Sequence, residues 1–214
     1  MMNTEADVKK EIVALQNEPC VPYAGIKMTS GAGHTSKVKI LNEKAVVPTR
    51  AHPTDTGYDL TFIGVSKVVS DTIYFTTGIA LSPPTGYYFE IVPRSSISGL
   101  PLMMANSVGV VDEHYTGEII VPVKVLHPNI GKGQERNSFP GGLVNIFGAR
   151  PSSMADLANQ ILQNKPKLFQ LILRERLDTG FTVVESLENT ERGAGGFGST
   201  DVKEVSTKTN KKKP

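Results

Sequence analysis

The chain has a single cysteine, Cys20, in 214 residues, which excludes an internal disulfide and a multi-cysteine metal site. Cys20 therefore reads as incidental rather than as a nucleophile, and the composition fits a reducing, intracellular compartment, cytoplasmic or nuclear. Long apolar runs are also missing, so no membrane-spanning helix is expected. The opening stretch MMNTEADVKKEIVAL lacks the apolar core of a signal peptide. Neither sign of charge dominates: 23 Lys and Arg face 21 Asp and Glu, a net +2, which gives no electrostatic reason to expect direct nucleic-acid or membrane binding. The one charge asymmetry is Lys208 followed by Lys211-Lys212-Lys213. It reads as a solvated tail, with a localisation signal as the alternative.

What is present is enough apolar material, 39% of residues, for the core of one domain with appendages. Residues 4–15 put Val8, Ile12 and Leu15 on one helical face, a short helix that Glu18-Pro19-Cys20-Val21-Pro22 ends. Residues 28–36 read as a linker. From Val38 the period changes from helical to strand: Val38 and Ile40, Val46-Val47, one run over 73–81, another over 87–92, then 119–125 and 168–173. Ser82-Pro83-Pro84-Thr85-Gly86 separates two of these runs as a turn. Many short strands with no long helix between them argue an all-β barrel or sandwich. The exception is a long passage over 129–164, where Ser152 or Ser153 would cap a helix whose apolar face is Met154, Leu157, Ile161 and Leu162. That face is expected to pack onto the barrel or its assembly, with a partner protein for the insertion as the alternative. The organisation is then an extension over 1–37, a barrel over 38–187 carrying the insertion, and a flexible arm over 188–214.

Residues 105–120, ANSVGVVDEHYTGEII, concentrate the chemistry. Val108, Val110 and Val111 favour strand, Gly117 marks a turn, and the stretch reads as a tight hairpin. A carboxylate directly after two valines is costly unless water or a ligand receives it, so Asp112 is expected to face a cleft or solvent. Asn106, Tyr115 and the backbone beside Gly109 are suited to grip a planar base and its sugar. Upstream, Pro93-Arg94-Ser95-Ser96 offers a guanidinium fork and two hydroxyls, a phosphate clamp. Downstream, Arg192 precedes a glycine-rich run ending Phe197-Gly198-Ser199-Thr200. Its literal Gly-x-Gly-x-x-Gly is not a dinucleotide fingerprint, because no strand and helix enclose it. Arg192, the hydroxyls and free amides can instead wrap phosphates, and Phe197 can stack on a base.

The order Asn106, Gly109, Val110-Val111-Asp112, Tyr115, Gly117-Glu118 resembles the third of five motifs in the trimeric dUTPases, which hydrolyse dUTP to dUMP and pyrophosphate. Gly57-Tyr58-Asp59-Leu60 is similar to the core of the first motif, Pro93-Arg94-Ser95-Ser96 to the second, and residues 191–200 to the fifth. The fourth, typically Gly-Asp-Arg-Ile-Ala-Gln, corresponds to Lys165-Pro166-Lys167-Leu168-Phe169-Gln170, where only the glutamine is identical. The long passage over 129–164 is a second departure. Apart from it, the resemblance spans 38–200.

The resemblance implies a jelly-roll-like all-β barrel and a homotrimer with active sites between subunits. The Asp112 hairpin would come from one chain, the first, second and fourth motifs from a neighbour, and the arm from the third. It also implies roles. Asp112 is the catalytic base, and Asp59 holds Mg2+ through water. Asn106, Gly109, Val110, Tyr115 and Phe197 contact uracil and deoxyribose. Arg94, Ser95, Ser96, Gln170, Arg192, Gly198, Ser199, Thr200 and, with its altered charge geometry, Lys167 bind phosphates. In the cell such an enzyme would limit uracil incorporation into DNA and supply dUMP for thymidylate synthesis. Two alternatives stay open: a dCTP deaminase-type enzyme of the same fold, which also carries Arg-Ser-Ser, and a non-catalytic dUTPase-like binding protein.

Overall fold

Short runs of alternating apolar residues make the sheets. The computed structural model describes residues 34–126, 151–164 and 166–194. The helix expected over 4–15, Cys20, most of the linker, residues 127–150 of the insertion and the basic tail lie outside the described residues. The elements are β1 (Lys37–Ile40), β2 (Tyr58–Leu60), β3 (Gly64–Val69), β4 (Thr72–Thr76), β5 (Ile79–Ser82), β6 (Tyr87–Pro93), β7 (Leu102–Met104), β8 (Gly109–Val111), β9 (Ile120–Val125), helix α1 (Met154–Asn164) and β10 (Phe169–Glu175). A 3₁₀ turn, Ser95–Gly99, follows β6.

Two four-stranded antiparallel sheets carry the fold, ordered β2-β10-β6-β8 and β3-β4-β9-β7, with β1 and β5 as a separate pair. This is an all-β, jelly-roll-like architecture with one short helix among the described residues. One core takes Leu60, Phe89, Ile91, Val111, Phe169 and Leu171 from the first sheet and Val65, Ile73, Phe75, Val121 and Val123 from the second. Phe62 lies between them, stacked on Phe75 with ring centroids 4.5 Å apart. Each such buried side chain contributes about 1.5–3 kcal/mol.

Three elements differ from the sequence pattern. The run over 73–81 is broken at Thr77-Gly78, so that β4 joins one sheet and β5 pairs with β1. Gly78 turns the chain with φ +67°, and a Cβ there would come within 3.0 Å of side-chain atoms of Ile63, Asn42 and Ala45. Val46-Val47 forms no strand; the nearby chain contributes only an isolated bridge, Thr49 to Asp59. Residues 105–120 are not a hairpin, because β8 pairs with β6 whereas β9 pairs with β4 and β7. The connection crosses from one sheet to the other.

The helix forms where its signals place it. Asp156 N–H donates to Ser153 Oγ at 3.1 Å while Ser152 N–H donates to Asp156 Oδ2 at 2.8 Å, so cap and first turn satisfy each other. Leu157, Ala158 and Ile161 are buried, and the helix packs against β3. The described residues up to Leu177 form one compact unit, and those from Asp178 form another.

Candidate active site

Strand register gathers one group of polar side chains. Gln170 on β10 is opposite Asp59 on β2 and Val92 on β6, so the acid and amide share a face at the end of β6 where Arg94 emerges. The Arg94 Nε donates to Asp59 Oδ1 at 3.0 Å, its Nη1 donates to the Lys167 carbonyl at 3.0 Å, and its backbone N–H bonds Leu168 O at 2.9 Å. Gln170 Nε2 donates to Pro93 O at 3.3 Å. A Cβ on Gly57 would overlap the Gln170 amide, so the glycine of Gly57-Tyr58-Asp59 has a packing reason. Ser95 and Ser96 follow in the 3₁₀ turn, both exposed, as is Lys167. The Asp59 side chain is 15% exposed beside Arg94. Among the described residues no three His, Cys, Asp or Glu side chains are grouped to chelate a metal. A lone carboxylate suits a magnesium ion that retains its waters and is carried by phosphate oxygens.

A second group surrounds Asp112. Gly109 is buried, and a Cβ there would come 3.1 Å from Ile91 Cβ; Val110 points outward and is 58% exposed. Because β8 is paired only with β6, its other edge leaves backbone donors and acceptors unpaired. Asn106 lies exposed in the turn that enters β8, where Ser107 adopts φ +65°. Asp112 is exposed in the turn that leaves β8, closed by Tyr115 N–H to Asp112 O at 3.1 Å. Tyr115 comes up against Gly117, where any Cβ would strike its ring, and its hydroxyl donates to Glu118 O at 3.1 Å.

Two glutamates pin this loop; Glu118 belongs to the motif order read from the sequence but was given no role there, and Glu113 was not singled out. Glu118 Oε1 accepts from Gly78 N–H at 2.7 Å. Glu113 Oε2 accepts from Gly86 N–H and from Arg176 Nη1, both at 3.1 Å, with its side chain 11% exposed. The Gly86 N–H, with the Thr85 side chain and the His114 and Arg176 charges, holds the Glu113 carboxyl below the usual glutamate range against the opposing effect of burial. Both partners lie far away in sequence, so no local signal marked them.

Asp112 is set apart from the Arg94 group within one chain. Val111 pairs with Phe89, so Asp112 comes opposite Tyr88, and Arg94 lies six residues further along β6. At about 3.3 Å per residue this is a separation of roughly 20 Å. In the second unit, Gly193 N–H closes a turn onto Thr190 O at 3.0 Å, and Arg192 lies exposed within it. Phe197, Gly198, Ser199 and Thr200 lie outside the described residues.

A family model for dUTPase matches residues 43–131. The deoxyuridine 5'-triphosphate nucleotidohydrolase of Clostridioides difficile is 31% identical over 168 residues, covering 77% of this chain and 96% of the relative. Among solved structures, the Staphylococcus bacteriophage 80alpha dUTPase with dUpNHpp has a TM-score of 0.56 at 24% identity, covering 78% of this chain and 99% of the other. This likeness is one of fold. A mutant dUTPase from phage phi11 of S. aureus, described as revealing the coordination of a structural Mg(II) ion, has a TM-score of 0.52 at 25% identity, covering 72% and 99%.

Proposed function

The chain belongs to the dUTPase family, and from that premise we infer that it hydrolyses dUTP to dUMP and pyrophosphate with Asp112 as the base. Inside the cell this reaction keeps uracil out of DNA and provides dUMP for thymidylate synthesis. The observation that carries the site reading is the exposure of Asp112 roughly 20 Å along the sheet from the Arg94 group. One chain thus offers two half-sites rather than a whole one. A homotrimer joins the Asp112 half of one subunit to the Asp59, Arg94 and Gln170 half of a neighbour, and takes the arm, 188–214, from the third.

In the joined site the Asp112 carboxylate accepts a proton from water, which attacks the α-phosphorus in line as pyrophosphate leaves. Arg94, Ser95, Ser96, Gln170 and Arg192, with Gly198, Ser199, Thr200 and Lys167, donate to phosphate oxygens and offset charge that builds in the transition state. Arg94 is already oriented by Asp59 and the Lys167 carbonyl. Asp59 would hold a triphosphate-borne Mg2+ through water, and the ion would supply further charge neutralisation. The free edge of β8 at Gly109 and Val110, with Asn106, hydrogen-bonds the uracil edge and leaves no space for the methyl of thymine. Tyr115 packs under the deoxyribose where a 2′-hydroxyl would sit, and Phe197 stacks over the base. Excluding a group discriminates further than losing one methyl contact.

Pyrophosphate release from dUTP, UTP, dTTP and dCTP tests the reading. Rapid release from dUTP alone is expected. Ammonia from dCTP would turn the assignment to a deaminase, and binding of dUTP without turnover would leave a binding protein.

A further inference from the structure

We propose that Glu113 is the positioning residue that aims Asp112, acting through the turn the two share and not by touching substrate. The inference rests on Asp112 being the base. The Asp112 carboxylate has no hydrogen-bond or ion-pair partner among the described residues. Its aim is therefore set by the backbone of its own turn, Asp112 O to Tyr115 N–H. That turn sits past the end of a three-residue strand at a sheet edge, a place where backbone frays unless something ties it down.

Glu113 is the tie. Its carboxylate receives the Gly86 N–H and the Arg176 guanidinium, and Gly86 O in turn accepts the Arg176 N–H at 2.8 Å. Gly86 belongs to the turn before β6, where φ is +80°, and Arg176 directly follows β10. Three segments distant in sequence thus converge on one carboxylate adjacent to the base. Charge-assisted hydrogen bonds of this kind are roughly twice as strong as neutral ones. Glu113 is turned inward, its side chain 11% exposed, so of two neighbouring carboxylates Asp112 is the more open to water. A general base must lie within hydrogen-bond reach of that water, and a displacement of about 1 Å can cost on the order of a hundredfold in rate.

Glu113→Ala and Glu113→Gln, each in the full-length protein, test this. In Glu113→Ala, kcat for dUTP should fall about tenfold to a hundredfold, while affinity for a non-hydrolysable dUTP analogue changes by less than about threefold, because the Arg94 half is untouched. Glu113→Gln, which keeps a carbonyl acceptor for Gly86 N–H, should recover much of the loss. Hydrogen exchange across 110–118 should accelerate in Glu113→Ala, the Tyr115 amide included, and less so in Glu113→Gln. Unchanged kcat and unchanged exchange in Glu113→Ala would overturn the proposal. So would a parallel fall in kcat, affinity and thermal stability that Gln does not rescue, since that marks a fold contact only. Exchange is read without turnover, so a wild-type protein inert toward dUTP defeats the assigned reaction while the clamp is still judged by exchange.

Discussion

Asp112 is exposed at a strand end with no side-chain partner among the described residues, so water solvates its carboxylate at little cost and the proposed base is open to a water molecule. Asp112→Asn should therefore lower kcat by about a hundredfold to ten-thousandfold with analogue binding largely retained, because the amide keeps the shape and loses the basicity. Near-normal turnover would remove Asp112 from the mechanism. Tyr115, close against Gly117 and tethered by its hydroxyl, is the side chain proposed to pack under the sugar. Tyr115→Ala should raise UTP hydrolysis relative to dUTP, measured as the ratio of kcat/KM; an unchanged ratio places ribose discrimination elsewhere. Arg94 and Asp112 were picked out in the sequence from their local chemistry, whereas Asp59 and Gln170 were picked out through the family motifs they resemble. The packing role of Gly57 and the part played by Glu113 were not, because they depend on which distant segment arrives beside them, Gln170 in one case and Gly86 with Arg176 in the other.

At the scale of elements, strands with strict alternation, β6, β9 and β10, were visible, and Pro122 did not prevent β9. Its carbonyl accepts from Ala105 N–H, so its missing donor faces the flank where β7 has ended and no ladder bond is lost. Strand β3 escaped the pattern because its register shifts between Val65 and Lys67, interrupting the alternation, and β7 is only three residues long. The supposed hairpin over 105–120 failed for a different reason. Two apolar runs flanking a turn look alike whether they pair with each other or enter opposite sheets, and here β6 and β4 had already claimed them. Helix α1 was legible from its cap and its i, i+3, i+7 face. Replacing the cap, Ser153→Ala, should cost about 1 kcal/mol in denaturant unfolding and leave dUTP turnover unchanged, since the cap is at the start of α1, which packs on β3, and the opposite end is the one that leads to Lys167. A large loss of turnover would mean the helix also supports the site.

For the whole molecule, the central claim is that a working site is assembled from three chains. Residues from Arg192 onward hold almost no apolar material, so a chain ending before Arg192 should fold and assemble yet lose nearly all hydrolysis. Full activity would make the arm dispensable. The most direct measurement mixes that truncated chain with Asp112→Asn, refolding equal amounts together. If Asp112 and the arm reach each site from different subunits of a randomly assembled ring, each is intact with probability one-half. About one-quarter of sites should then recover. If each chain folded its arm over its own Asp112, every site would carry one defect. Mixed trimers verified by mass that remain inactive would contradict the three-chain site.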